Sequence, residues 1–140
     1  RGFAFQRANN WGCNFDDYVK NANDSIVVIV MIESKMAVEN IDSILSVSGV
    51  DGVLIGPYDL SGSFGIPGET ASPIVVDACE KVSQACANAG KSAGIHIVIP
   101  SEEAIRKSLA GGFTFLALAM DTVFLSAGAK EALKRGVDSI

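Results

Sequence analysis

Four apolar runs, regularly separated, constrain this chain more than any other feature. They read "SIVVIVMI" (residues 25–32), "GVLI" (52–55), "SAGIHIV" (92–98) and "FTFLALA" (113–119). Each is nearly continuous in Val, Ile, Leu, Phe and Ala instead of alternating apolar with polar, the pattern of strands buried on both faces of a parallel sheet. Helix-like segments follow each run. Residues 35–47 place Met36, Val38, Ile41, Ile44 and Leu45 near helical spacing. Residues 73–89 open on Ser72-Pro73 and end before Gly90, and residues 101–110 open on Ser-Glu-Glu and end at Gly111-Gly112. These are helix start and stop signals. Residues 121–135 form a closing helix, and residues 14–23 form one that feeds the first strand.

Strand and helix therefore alternate four times, with strand starts roughly 20 to 40 residues apart, as parallel βαβ units require. Four such units make a small open sheet or half of an eight-unit barrel. Neither a G-x-G-x-x-G turn nor a G-x-x-x-x-G-K-[ST] loop is present to favour a nucleotide-binding open sheet. The half-barrel is the expectation. The chain opens at Arg1 without a Met and runs directly into structured-looking sequence, so residues 1–140 read as the C-terminal portion of one longer barrel domain.

Composition narrows the partners. A net charge of −5 with no basic run argues against nucleic acid and anionic membranes, which reward clustered Lys and Arg. The longest apolar run is too short to cross a bilayer, and no signal peptide is visible. Cys13, Cys79 and Cys86 are odd in number and lack C-x-x-C spacing, so free thiols in the cytoplasm are expected.

Chemistry in parallel α/β folds collects at the carboxyl ends of the strands. Glu33 immediately follows the first run, and Asp59 follows the second across Gly56-Pro57. Two carboxylates at consecutive strand ends suit a hard divalent cation that retains open positions for water and substrate. Each also has a plainer reading: Glu33 as a helix-start acid, Asp59 as a turn residue after Pro. His96 lies in the third run with no second His to complete a metal site. No nucleophile elbow or Ser/His/Asp set assembles. Gly111-Gly112 reads as a helix cap, with a phosphate-binding turn as the lesser alternative.

Beyond these positions, the residues resemble the HpcH/HpaI family of metal-dependent (class II) pyruvate aldolases. The likeness runs through Arg1-Gly2, Arg7, Trp11, Tyr18, Ala22-Asn23, Ile32-Glu33, Asn40-Ile41-Asp42, Gly49 to Gly52 and the block "IGPYDLSGSFG". It continues at Ala89-Gly90-Lys91, Gly94-Ile95, Gly112-Phe113 and Asp121. The resemblance implies the C-terminal half of a (β/α)8 TIM barrel that cleaves a 4-hydroxy-2-oxo acid to pyruvate and an aldehyde. It implies Glu33 and Asp59 as the two protein ligands of Mg2+, Mn2+ or Co2+, which binds pyruvate and stabilises its enolate. Backbone N–H groups around Tyr58 and Asp59 are implied to hold the pyruvate carboxylate, with Tyr58 and His96 as substrate contacts. A homo-oligomer is implied too, a hexamer in relatives, in which the C-terminal helix (residues 121–135) is exchanged between subunits.

The sequence departs from that pattern. Met31 stands where family members often carry Gln, Tyr58 where many carry Ala, and His96 where an apolar residue is common on the aldehyde side. The family's acid/base His and its enolate-stabilising Arg belong to the other half of the barrel, and neither His96 nor Arg7 matches their motifs. No catalytic acid or base is therefore assigned within this chain, which taken alone is expected to be inactive. Two alternatives remain: a non-catalytic half-barrel that pairs with another half, and a lyase of the citrate-lyase β-subunit type acting on acyl-CoA thioesters. The "GPYDLSGS" block fits the free-acid aldolases better.

Overall fold

A computed structural model describes residues 5–138, so Arg1 and Gly2 of the resemblance lie outside the described residues. A distorted 3-10 segment, Arg7–Gly12, leads into α1 (Phe15–Ser25). The remaining elements are β1 (Ile29–Ile32), α2 (Lys35–Glu39), α3 (Ile41–Leu45), β2 (Gly52–Ile55), α4 (Pro57–Ser63), α5 (Pro73–Asn88), β3 (Ser92–Ile97), α6 (Glu102–Ala110), β4 (Phe115–Leu118) and α7 (Asp121–Val137). The strands form one sheet in the order β1-β2-β3-β4, and every neighbouring pair is parallel. An α/β fold with a four-stranded parallel sheet is what the apolar runs require.

Three local departures from the sequence expectation have physical causes. The first strand starts at Ile29 instead of Ser25, because α1 continues through Ser25. Ile26 to Val28 bridge the two, and Val28 is pinned by Asp51: its N–H donates to Asp51 Oδ2 at 2.7 Å, while Asp51 N–H donates to Val28 O at 2.9 Å. The helix expected over residues 35–47 is broken at Asn40 (φ −101°, ψ 18°). Its amide Nδ2 donates to Met36 O at 2.8 Å, the local side-chain bond by which Asn competes with helical backbone. The third departure is α4, a short helix where a loop was expected. Pro57 at its first position supplies a helical φ, and Asp59 places negative charge in its first turn.

The core lies on one face of the sheet. Ile32, Val53, Ile55 and Ala93 are buried there against Val38, Ile41, Leu45, Leu60, Val75, Val82 and Cys86 of the helices. The alternate strand residues point the other way. Phe115 lies over Gly94, where an added Cβ would meet its ring at 2.6 Å. Met31 is 53% exposed and Phe115 42%. The continuous apolar runs imply cover on both faces, but among the described residues helices cover only one.

The helix ends follow the sequence signals. Ser34 and Ser101 accept from Ala37 N–H (3.2 Å) and Ala104 N–H (3.1 Å), capping α2 and α6. Gly112 (φ 85°) closes α6, and Ser83 Oγ donates to Gly111 O at 2.8 Å. The glycine pair thus serves as a helix stop.

Candidate functional site

Strand register places the site. Ile32 pairs with Ile55 and Ile55 with Ile95, so one residue further on Glu33, Gly56 and His96 stand in a row across three strand ends. His96 in turn pairs with Ala117. Residues in one row of a parallel sheet share a face. Here it is the face left open by the helices.

Glu33 does not cap the following helix, since Ser34 does so. Its side chain instead lies against Gly56: an ideal Cβ there would sit 2.8 Å from Glu33 Oε1 and 3.1 Å from its Cγ. Asp59 belongs to the first turn of α4, directly beyond Gly56-Pro57. Glu33, Asp59, Tyr58, His96, Met31 and Gly56 all line one cavity of about 250 Å³ at the sheet's carboxyl end. Every residue assigned to the site from sequence is brought to this cavity. Val98 and Met120 complete its wall and had no motif to announce them.

The serines of "DLSGS" hold this mouth together. Ser61 is fully buried; its Oγ donates to Tyr58 O at 2.6 Å and accepts from Gly68 N–H at 2.9 Å. Ser63 Oγ accepts from Lys35 N–H at 2.6 Å, tying the start of α2, two residues past Glu33, to the end of α4. The segment after Glu33 and the helix that carries Asp59 are thereby linked directly.

His96 is fixed from the far side. One ring nitrogen, Nε2, lies 2.9 Å from Ala119 O. A carbonyl only accepts, so Nε2 carries the proton, and in the neutral ring Nδ1 is the acceptor. Ala119 turns its carbonyl there through a left-handed backbone (φ 55°), uncommon for a residue with a Cβ, while its own N–H donates to Ile97 O at 2.8 Å.

Two carboxylates lining one cavity are the type of oxygen group that could hold a hard divalent cation while leaving positions for water and ligand. The room that Gly56 leaves under Glu33 fits a carboxylate seat at the strand end. No group of three or more His, Cys, Asp or Glu able to hold a metal occurs among the described residues. Glu33 and Asp59 are the carboxylates among the residues that line this mouth.

A larger cavity of about 400 Å³ lies on the helix-covered side, between α5, α6 and β3. It is mostly apolar, lined by Val76, Ile95, Ile97 and Phe113; Tyr58 and His96 also line it, but neither Glu33 nor Asp59 does. Cys79 borders it, but burial pushes that thiol up to about 11, with the charge of Glu80 adding to the rise. Such a thiol stays protonated and is a poor nucleophile near neutral pH.

Residues 5–127 match the model of the HpcH/HpaI aldolase/citrate lyase family. A 2-keto-3-deoxy-L-rhamnonate aldolase of Salmonella paratyphi B is 43% identical over 122 residues, covering 87% of this chain and 45% of the relative. The crystal structure of an HpcH/HpaI aldolase/citrate lyase family protein from Burkholderia cenocepacia superimposes with a TM-score of 0.82 at 32% identity, over 96% of this chain and 52% of that one. A citrate lyase β subunit from M. tuberculosis, complexed with oxaloacetate and magnesium, shares the fold at a TM-score of 0.59 and 16% identity, over 75% of this chain and 51% of its own. The chain spans about half the length of the curated relatives it matches. No described helix is long and apolar enough to cross a membrane.

Proposed function

The chain belongs to the HpcH/HpaI aldolase/citrate lyase family, and from that premise we propose that it forms the cation-binding mouth of a metal-dependent pyruvate aldolase. The reaction is cleavage of a 4-hydroxy-2-oxo acid to pyruvate and an aldehyde, or its reverse. One observation carries the reading: Glu33 and Asp59, from consecutive strand ends, line one cavity together with Tyr58 and His96.

In this reading Glu33 and Asp59 hold Mg2+, Mn2+ or Co2+. The cation, when bound, supplies Lewis-acid polarisation of the 2-oxo group. Their two negative charges attract it, and the link from Lys35 N–H to Ser63 Oγ keeps their loops in register. The N–H groups of Tyr58 and Asp59 lie in the first turn of α4, where helical backbone offers them no acceptor. They receive the pyruvate carboxylate. Tyr58, His96 and Met31 face the remainder of the substrate, where two polar groups and a thioether replace the contacts common in relatives. No residue of this chain is given the proton-transfer role; the acid/base His and the enolate-stabilising Arg are assigned to the half of the relatives' length that this chain does not span.

The same reading makes the sheet the C-terminal half of a (β/α)8 barrel, with Met31, Leu54 and Phe115 on its inward face. Helix α7 buries none of its residues, and Phe124, Leu125, Leu133 and Val137 are 60–75% exposed. We assign it to a neighbouring subunit in a homo-oligomer, a hexamer if it follows the relatives, to be checked by light scattering of the intact protein. The buried thiols Cys79 and Cys86 accord with a reducing cytoplasm.

The decisive experiment measures exchange of the pyruvate methyl protons with D2O, at saturating Mn2+, in the full-length enzyme. Glu33→Ala and Asp59→Ala should each lower it by about 100-fold or more, since each removes one of two charged donors. Wild-type exchange in either variant would exclude the metal assignment.

A further inference from the structure

Gly56 occupies a position where nothing in its own backbone asks for glycine. Its φ of −101° is negative, outside the left-handed region that favours glycine. It is also the N-cap of α4, a position where Ser, Thr, Asp or Asn would accept a hydrogen bond from the helix and stabilise it, and here no side-chain cap exists. A local account of the sequence would therefore place a capping residue here. The constraint comes from across the sheet: a Cβ on Gly56 would stand 2.8 Å from Glu33 Oε1, 3.1 Å from its Cγ and 3.4 Å from its Cδ.

We propose that Gly56 is a positioning residue for the cation seat: its bare Cα is the floor on which the Glu33 carboxylate rests, and any side chain there moves that carboxylate off the metal position. This rests on the metal reading given above and deepens it, by identifying what fixes one of the two donors. The chemistry of the clash separates function from folding. The three atoms nearest to that Cβ all belong to the movable part of the Glu33 side chain. The side chain swings away and the sheet keeps its register. Gly62, in the same helix, is the natural control, because a Cβ there meets nothing within 4 Å.

The test is Mn2+ binding by the intact protein, counted by electron paramagnetic resonance of the free ion, for the wild type, Gly56→Ala, Gly62→Ala, Glu33→Ala and the double variant Glu33→Asp/Gly56→Ala. Gly56→Ala should weaken Mn2+ binding by about tenfold or more, as loss of a supporting contact does at metal sites. Circular dichroism and melting should match the wild type. Gly62→Ala should bind as the wild type. The double variant should recover part of the loss, because the shorter acid withdraws from the new methyl. If Gly56→Ala binds normally while Glu33→Ala does not, the positioning role is wrong and the metal reading stands. A loss in Gly62→Ala equal to that in Gly56→Ala, or a Gly56→Ala chain that fails to fold, also overturns the role, since the cause would then lie in the helix or the sheet. If the wild type takes up no Mn2+, or Glu33→Ala binds as well as wild type, the metal reading falls and the positioning role falls with it.

Discussion

The two faces of the same four strands obey different rules. On one, Ile32, Val53, Ile55 and Ala93 are at most 2% exposed beneath the helices. On the other, Met31 is 53% exposed directly before Ile32 in β1, and Phe115 is 42% exposed in β4, which buries none of its residues. The covered face is made of large apolar side chains that interdigitate with helices. The open face mixes large residues with Gly52, Gly94 and Ala117, and ends in Glu33, Gly56 and His96. One face holds the fold together while the other carries the site, so a substitution's effect depends on which way its Cβ points.

The largest effect should come from the covered face. Ile55→Ala removes a fully buried side chain from the centre of the sheet, beside Ile32 and Ile95 in the register. Large-to-small changes at such sites cost about 2–5 kcal/mol, because the cavity collapses only partly. Urea denaturation of the variant should show that loss as a lowered midpoint. A loss of about 0.5 kcal/mol or less, the scale of ordinary surface changes, would mean that the helices do not pack against β2 as described.

Ser61→Ala tests the link between the faces and should come second. Ser61 is buried, and its hydroxyl both donates to Tyr58 O and accepts from Gly68 N–H. Alanine removes both bonds, each worth about 0.5–1.5 kcal/mol net. Because the lost bond also anchors the turn of α4 that bears Tyr58 and Asp59, Mn2+ affinity should fall alongside stability. Stability lost with Mn2+ affinity intact would show that Asp59 is positioned independently of the serine.

The sequence disclosed the alternation of strands and helices because burial on a parallel sheet demands long apolar runs, and these are visible without any partner. It disclosed Glu33 and Asp59 because both fall at strand ends, the one place where a chain like this presents polar groups to a ligand. What it concealed are contacts between distant residues. Asp51 of "GVDG" looked like part of a functional block, yet it fastens Val28 to β2. Lys91 of "AGK" donates to Leu45 O at 2.6 Å, placing its charge at the carboxyl end of α3. Gly56 carried no assignment in the sequence, because its reason lies in Glu33, beyond the neighbouring strand. The break at Asn40 was hidden for a different cause: the apolar spacing runs straight through it, while its backbone leaves helical values and its side chain bonds Met36 O.

The smallest effect, and the one that most sharpens the contrast between faces, belongs to Met31→Ala. On the fold as described the side chain is half-exposed, and its removal should shift stability by about 0.5 kcal/mol, the range of ordinary surface changes. Its neighbour one residue along, Ile32, is 1% exposed, so any excess cost at Met31 cannot be charged to the helices. A cost approaching that of Ile55→Ala would mean that something outside residues 5–138 buries the open face in solution. That is the result expected for the intact protein if the sheet forms half of a closed barrel. Measured on this chain alone and again on the full-length protein, the same substitution separates the two states: near neutral in the first, and of core magnitude in the second. Near-neutral values in both would leave the open face bare in the working enzyme and remove the closed barrel from the proposal, whatever the metal site does.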